Sequence, residues 1–474
     1  MTRSPLDLLA PDAAAIPVRC VAAPDWPGLA RSLTPTQRAY AAATDFAPKT
    51  GRLCLLPGED GAIARVLFGL GDPAARGRDR FLVGKLPGLL PPGAYRLEAE
   101  GIDAPAEAAL AWLLASYRYD RYRGGADENG AKGAGETKSA RLVAPEGVDA
   151  AAIVRVARAV AAGRDLINTP ANDLGPAEIE AAARALAERF GAEITVTTGE
   201  ALARDFPLVH AVGAASPRAP RLIDLRWGPE GAPRVTLVGK GVVFDTGGLD
   251  IKPSAGMLLM KKDMGGAAAA LSAAEMVMGS GLPVRLRLIV PTVENAISGN
   301  AFRPGDVIRS RAGLTVEIGN TDAEGRLILA DALALADAET PDLLIDFATL
   351  TGAARVALGP DLPAFFTEDD GLAAEVDRAG REAIDPVWRL PLHAPYAPLL
   401  DSKAADLNNV SGGPFAGAIT AALFLRRFAP NTGAHLHFDL YGWNPSTKPG
   451  RPEGGEVQTA RLVHHLLARR YPAS

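Results

Sequence analysis

The sequence predicts an α/β protein of two domains, a smaller N-terminal α/β domain and a larger C-terminal one with a mostly parallel sheet flanked by helices. Three observations carry that prediction. At 474 residues the chain exceeds the size at which one hydrophobic core usually stops growing, so two domains are expected. Beyond roughly residue 170, strand-like and helical segments alternate, which is the pattern of a largely parallel sheet with helical crossovers. Apolar residues make up 48% and charged residues 22%, enough to fill a packed core.

In the first domain RLCLLP (52–57) and ARVLFGLG (64–71) read as short buried strands broken by Gly and Pro. EAALAWLLASYRYDRY (107–122) is long and periodic enough for a helix,. The glycine- and charge-rich RGGADENGAKGAGETKSAR (123–141) is expected to be a mobile exposed loop, and RLVAPE (141–146) a closing strand,. Asp149 is placed to cap the next helix, in which Ile153, Val156, Ala157, Val160 and Ala161 share one face,. These boundaries give a domain over 1–147, a linker helix over 148–168 and a second domain over 169–474. After LINTPANDLGP (166–176) breaks the pattern, helices are expected in AEIEAAARALAERF, GGAAAALSAAEMVMGSG and EGRLILADALALADAET. Strands are expected in AEITVTT, PRLIDLRW, RVTLVGKG, VRLRLIVP and DLLIDFATL. Ligands of such sheets bind beyond the carboxyl ends of the strands.

Charge and targeting signals exclude several function classes. The formal charge is −5, without a dense basic run, which gives no electrostatic reason to expect nucleic acid as a partner. No apolar stretch is long enough to span a membrane, and the N-terminus lacks a sustained apolar signal region,. Cys20 and Cys54 have no metal-type spacing and read as reduced thiols, so the cytoplasm is the expected location,.

The chemistry-bearing residues concentrate between Lys240 and Arg326. Lys240 follows a β-branched strand within Gly239-Lys240-Gly241, and Asp245, Thr246, Gly247, Gly248 and Lys252 come next. Asp263 stands before Gly265 and Gly266 at the start of an alanine-rich helix, while Asp322 and Glu324 occupy a turn between strand and helix. The glycines also suggest a phosphate loop, but neither a phosphate-loop nor a dinucleotide fingerprint is present,. Acids at a helix start are commonly just stabilising; the set is more telling. Four carboxylates in one pocket repel, and cations must compensate if they are to stay ionised. Two divalent ions about 3.5–4 Å apart are the usual compensation. None of the six histidines lies in these motifs, so oxygen ligands dominate, which admits Mn²⁺ or Mg²⁺ alongside Zn²⁺.

GKGVVFDTGGLDIKP, KKDMGGAA and NTDAEGRLILADAL resemble the signature of the leucyl aminopeptidase (cytosol aminopeptidase) family, M17. The likeness extends to DLINTPANDLGP, NAFRPGDVI, DFATLTGA and GGPFAGAITAALFL, across most of residues 165–430, and is loose before residue 145. It implies an aminopeptidase that trims peptides from the N-terminus. Asp245, Asp322 and Glu324 would bind two divalent metals, with Asp263 and Lys240 completing the second site. Lys252 would polarise the scissile carbonyl and stabilise the oxyanion. Arg326 would hold a bicarbonate ion acting as base toward a metal-bridging water, since no histidine or unligated carboxylate of the motifs is available. The backbone around Asn320, Leu350 and Gly352 would line the peptide cleft, and Met260 would floor the side-chain pocket. A homohexamer is implied as well.

Two departures from the family pattern stand out. Thr246 replaces the serine of some members, and HLHFDLYGWNP (435–445) replaces a smaller HxDIAG-like stretch. Tyr441 and Trp443 therefore reshape the pocket, and a preference for leucine does not follow. His435 and His437 alternate as strand residues do and read as structural. A two-metal phosphohydrolase and an inactive binding protein of the same fold are the competing readings; the first predicts histidine-rich ligands, the second lost ligands.

Overall fold

The computed structural model describes residues 6–75, 79–122 and 139–472. Most of the loop expected over 123–141 lies outside these residues. The chain divides into two compact units, one of Met1–Ala161 with Ser446–Glu453, the other of Ala162–Pro445 with Gly454–Ser474. The helix Ala150–Asn168 crosses this division, and the Asp149 carboxylate accepts from the Ala152 amide at 2.9 Å at its start,.

The first unit holds a five-stranded sheet. Its strands are β1 (Ile16–Ala22), β2 (Leu53–Pro57), β3 (Ile63–Gly71), β4 (Gly93–Leu97) and β5 (Ala140–Leu142), in the order β2-β3-β1-β4-β5. Only the β2–β3 pairing is antiparallel. The helix expected over 107–122 spans Pro105–Ser116 instead. Tyr117 turns extended and packs with Leu6 and Ala161; burial of this one aromatic ring outweighs the helical pattern of the following residues. The closing strand is likewise shorter than RLVAPE, ending at Leu142. Gly84 lies so close to the backbone of Gly450 and Ala111 that a side chain there would overlap both.

The second unit is built on β6 (Glu193–Thr197), β7 (Arg221–Trp227), β8 (Arg234–Gly239), β9 (Gly241–Asp245), β10 (Arg285–Asn295), β11 (Val307–Arg309), β12 (Thr315–Glu317), β13 (Leu343–Ala348), β14 (Ala364–Phe366), β15 (Trp388–Arg389), β16 (Leu407–Asn408) and β17 (His435–Asp439). The main sheet runs β15-β14-β17-β13-β8-β10-β7-β6, with β9 added on β10. Its centre, β17-β13-β8-β10, is parallel, whereas β14 joins β17 and β7 joins both β10 and β6 antiparallel. The sheet is thus mixed, with the parallel strands where the sequence motifs fall.

Residue parity sorts the helices onto its two faces. Gly239 and Phe347 are register neighbours, and both meet the N-terminal turn of the helix Gly265–Gly279, whose Gly266 sits against the Phe347 carbonyl. Val238 and Leu344 point the other way and pack with Leu327, Ile328 and Leu333 of the helix Glu324–Asp337.

A buried polar triad ties β13 to β17. His435 Nε2 lies 2.8 Å from Asp346 Oδ2, and His437 Nδ1 lies 2.5 Å from Asp346 Oδ1. Burial alone would raise the Asp346 pKa, but the two histidines outweigh it and hold it below the usual carboxylate range,. Burial would lower that of His437, but Asp346 holds it above the usual imidazole range. Asp346→Asn is expected to cost about 3–5 kcal/mol, read from the urea midpoint. The Asp346 contribution is present above the ordinary carboxylate pKa and lost as acid carries the pH below its folded value. The His437 contribution is present below the ordinary imidazole pKa and lost as the pH rises through its folded value. Wild-type stability should therefore be greatest between about pH 4 and 6 as far as this triad decides it, and the asparagine variant should show a flatter profile.

Candidate metal centre

The parallel strands deliver the predicted residues to one edge of the sheet. RVTLVGKG does not form a single strand. β8 stops at Gly239 and β9 begins at Gly241, and these strands pair with different stretches of β10. Lys240 occupies the break: its amide donates to the Phe347 carbonyl at 2.9 Å and its carbonyl accepts from Ala267 at 2.8 Å. With the backbone held on both sides, the buried ammonium reaches Asp263 Oδ2 at 2.8 Å, Glu324 Oε1 at 2.9 Å and the Thr349 carbonyl at 3.1 Å. Lys240 is therefore paired with Asp263 and Glu324, and Asp245 has another partner.

That partner is Lys252, 2.7 Å from Asp245 Oδ2 and also in contact with Asp322 Oδ1. The loop between them turns through Gly247 (φ 88°) and Gly248 (φ 63°), a left-handed pair that favours glycine,. Asp250 and Thr321 lock this loop to the Asp322 turn, with the Thr321 amide on Asp250 Oδ2 at 2.7 Å and the Thr321 hydroxyl on the Gly247 carbonyl at 2.6 Å. Asn320 Oδ1 accepts from the Asp322 amide at 2.7 Å, so its side chain fixes the turn that presents a metal-type ligand.

Asp245, Asp322 and Glu324 offer ligand oxygens within 4.8 Å of one another. Asp263 stands outside this cluster and is joined to it through Lys240; Thr349 Oγ1 donates to its Oδ1 at 2.8 Å. Glu324 has its pKa pushed well up, by burial first and then by Asp245. Asp245 is raised for the same reasons, burial and then Asp263. Burial would lower the Lys240 pKa, but Asp263, Glu324 and Asp245 together hold it above the ordinary lysine range. Among the described residues, Oδ2 of Asp263, Oδ1 of Asp322 and Oε1 of Glu324 are buried and met only by the ammoniums of Lys240 and Lys252. Clustered, buried carboxylate oxygens that outnumber the two ammoniums between them fit divalent cations, whose charge would relieve the repulsion and favour the neutral amine of Lys240.

Arg326 is buried two residues beyond Glu324. Its Nη1 donates to the Asn409 carbonyl at 2.6 Å, while its Nε has no partner. Burial lowers its pKa to about 10. A desolvated guanidinium without a carboxylate suits a small oxyanion. Leu350 donates its amide to Asp439 Oδ1 at 3.1 Å, and the exposed Gly352 opens the helix Gly352–Leu358. Met260 is half-buried at the head of the turn that carries Asp263.

Several supporting residues carry no signal in the sequence. Asn295 Nδ2 donates to Asp245 Oδ1 at 2.8 Å from fifty positions away. Asp439 accepts from the Leu350 and Thr351 amides and the Thr351 hydroxyl. Asn409 accepts from the Gly319 and Asn320 amides. Lys262, beside Asp263, is buried with its pKa lowered by that burial to about 8.

Residues 161–467 match the catalytic domain of the cytosol aminopeptidase family, and residues 16–132 the M17 aminopeptidase N-terminal domain. A probable cytosol aminopeptidase of Rhizobium rhizogenes is 42% identical over 351 residues, 72% of this chain and 70% of that one. Another, from Syntrophotalea carbinolica, is 44% identical over 367 residues, 75% of this chain and 73% of that one. The crystal structure of the cytosol aminopeptidase from Coxiella burnetii superposes with a TM-score of 0.91 at 44% identity, covering 98% of this chain and 99% of that one. The bottromycin maturation enzyme BotP in complex with Mn superposes with a TM-score of 0.85 at 34% identity, covering 97% and 100%.

Gly325 lies against Lys240, and a side chain there would overlap its Cδ, Cε and Nζ atoms. Gly325→Ala is expected to displace the lysine from Asp263 and Glu324. Affinity for Mn²⁺, measured by titration calorimetry, should fall on the order of 10- to 100-fold, and the urea midpoint should fall as well, because two buried ion pairs are broken.

Proposed function

The chain belongs to the cytosol aminopeptidase family, and we propose that it removes the N-terminal residue of peptides by metal-dependent hydrolysis at the Lys240–Arg326 pocket. The observation that carries this reading is the cluster of Asp245, Asp322 and Glu324, whose ligand oxygens converge within 4.8 Å with only the ammoniums of Lys240 and Lys252 to offset their charge. These three would hold the metal ions, and Lys240 with Asp263 would complete a second site. Mn²⁺ has support from the Mn complex of BotP, and the oxygen-rich donor set also suits Mg²⁺ or Zn²⁺. Two bound ions would supply a strong nucleophile from water near neutral pH and a Lewis acid for the scissile carbonyl.

The chain's own groups supply the remaining functions. Lys252, held between Asp245 and Asp322, would turn its ammonium to the developing oxyanion once cations take over the carboxylates. Arg326 would hold a bicarbonate ion, which supplies a base that the pocket otherwise lacks. Asn320 orients Asp322, and the Leu350–Gly352 backbone borders the peptide. Family resemblance further supports a cytoplasmic homohexamer. Among the described residues no helix is long and apolar enough to cross a membrane.

Incubation with Mn²⁺ should yield turnover of leucine p-nitroanilide but not of p-nitrophenyl phosphate, and a chelator should abolish it. Turnover of the phosphate ester alone, or indifference to chelation, would overturn the reading. Glu324→Gln should lower kcat at least 100-fold together with metal content. Arg326→Ala should keep its metal, lose on the order of 10²-fold in kcat, and lose any stimulation by added bicarbonate.

A further inference from the structure

Lys262 is 5% exposed, and its ammonium makes neither a hydrogen bond nor an ion pair with any described residue. It lies against a ring instead, 4.8 Å from the centre of Tyr441. The Arg355 guanidinium lies 5.0 Å from the same ring, and its side chain too has no carboxylate partner among the described residues. Burying an ammonium without an acceptor carries a desolvation cost that a cation–π contact offsets only in part. The neighbouring anions are already engaged. Asp263 faces Lys240 and accepts from Thr349, and Asp439 accepts from Leu350 and Thr351. Two cations on one tyrosine, neither matched, describe a receptor for a negative group.

The position of the cluster says which group. Lys262 immediately precedes Asp263, and Tyr441 follows the Asp439 that holds the Leu350–Thr351 backbone. The cluster therefore borders the metal pocket on its Asp263 side, next to the backbone assigned to the peptide cleft.

We propose that Lys262, aided by Arg355 on the same Tyr441 ring, receives a carboxylate of the substrate, so that the enzyme favours peptides beginning with glutamate or aspartate. This rests on the aminopeptidase reading above. An acidic side chain is favoured as the source because it branches from the residue whose scissile carbonyl lies at the metals, with the tyrosine ring covering its methylenes. The free C-terminus of a dipeptide presents the same chemistry.

The test measures kcat/KM for glutamate, glutamine and leucine p-nitroanilides, and for Leu-Gly with and without a C-terminal amide, in wild type, Lys262→Met and Arg355→Met. Glutamate and glutamine differ in charge at nearly equal shape. The expected result is a glutamate preference of roughly tenfold or more over glutamine in wild type, the size of a charge-assisted hydrogen bond. That ratio should drop to one or below in Lys262→Met and fall partly in Arg355→Met. If Leu-Gly instead outpaces its amide and that gap closes in Lys262→Met, Lys262 binds a carboxylate as proposed but the acidic N-terminal preference is overturned. Equal rates within both pairs in wild type overturn the proposal while leucine turnover upholds the aminopeptidase reading. Absence of turnover on every substrate with metal present overturns that reading and the proposal together. The wild-type comparison needs no variant, so a folding defect in Lys262→Met cannot hide a negative result.

Discussion

Like charges packed in a largely buried pocket dominate this molecule. Asp245, Asp263, Asp322 and Glu324 converge at the carboxyl edge of a parallel strand set, three of them buried. In water their repulsion would be modest; away from water it is large enough to keep protons on carboxylates. The protein answers with Lys240 and Lys252, two ammoniums placed between pairs of acids, two positive charges against four carboxyl groups. A site built this way is predisposed to small divalent cations, because they bring more charge per volume than another side chain could.

The backbone is shaped to permit that crowding. Gly239 and Gly241 flank Lys240, and the strand breaks between them, so the lysine leaves the ladder pointing at the acids. Gly266 and Gly325 are held bare because a methyl group at one would strike the Phe347 carbonyl and at the other the Lys240 side chain. The alanine-rich helix Gly265–Gly279 approaches the sheet as closely as it does for the same reason. Small residues here are therefore part of the electrostatics: they set how near the charges come.

The fold and the ligand set were legible in the sequence to the extent that they are local. Alternating strands and helices pointed to a mostly parallel sheet, which holds for its centre but not for the antiparallel flanks, and Asp322 with Glu324 marked a strand-to-helix turn. What escaped was distant or tertiary. Asn295, Asn409 and Asp439 reach the pocket from other strands and loops, and an asparagine in a strand carries no periodic signature. The helix ending at Ser116 was overrun because Tyr117 answers to Leu6 and Ala161, which no window around it contains. Lys262 carries no sequence signal of its own, and only its burial against Tyr441 sets it apart.

The stretch Ser446–Glu453 belongs to the first compact unit although it lies near the end of the chain, and Gly84 is closely apposed to the backbone of Gly450 within it. During synthesis the N-terminal unit emerges first, as domains usually do, yet its last piece is translated only after nearly all of the catalytic unit. The N-terminal unit is thus completed only after most of the catalytic unit has been made, so the two cannot be finished strictly one after the other.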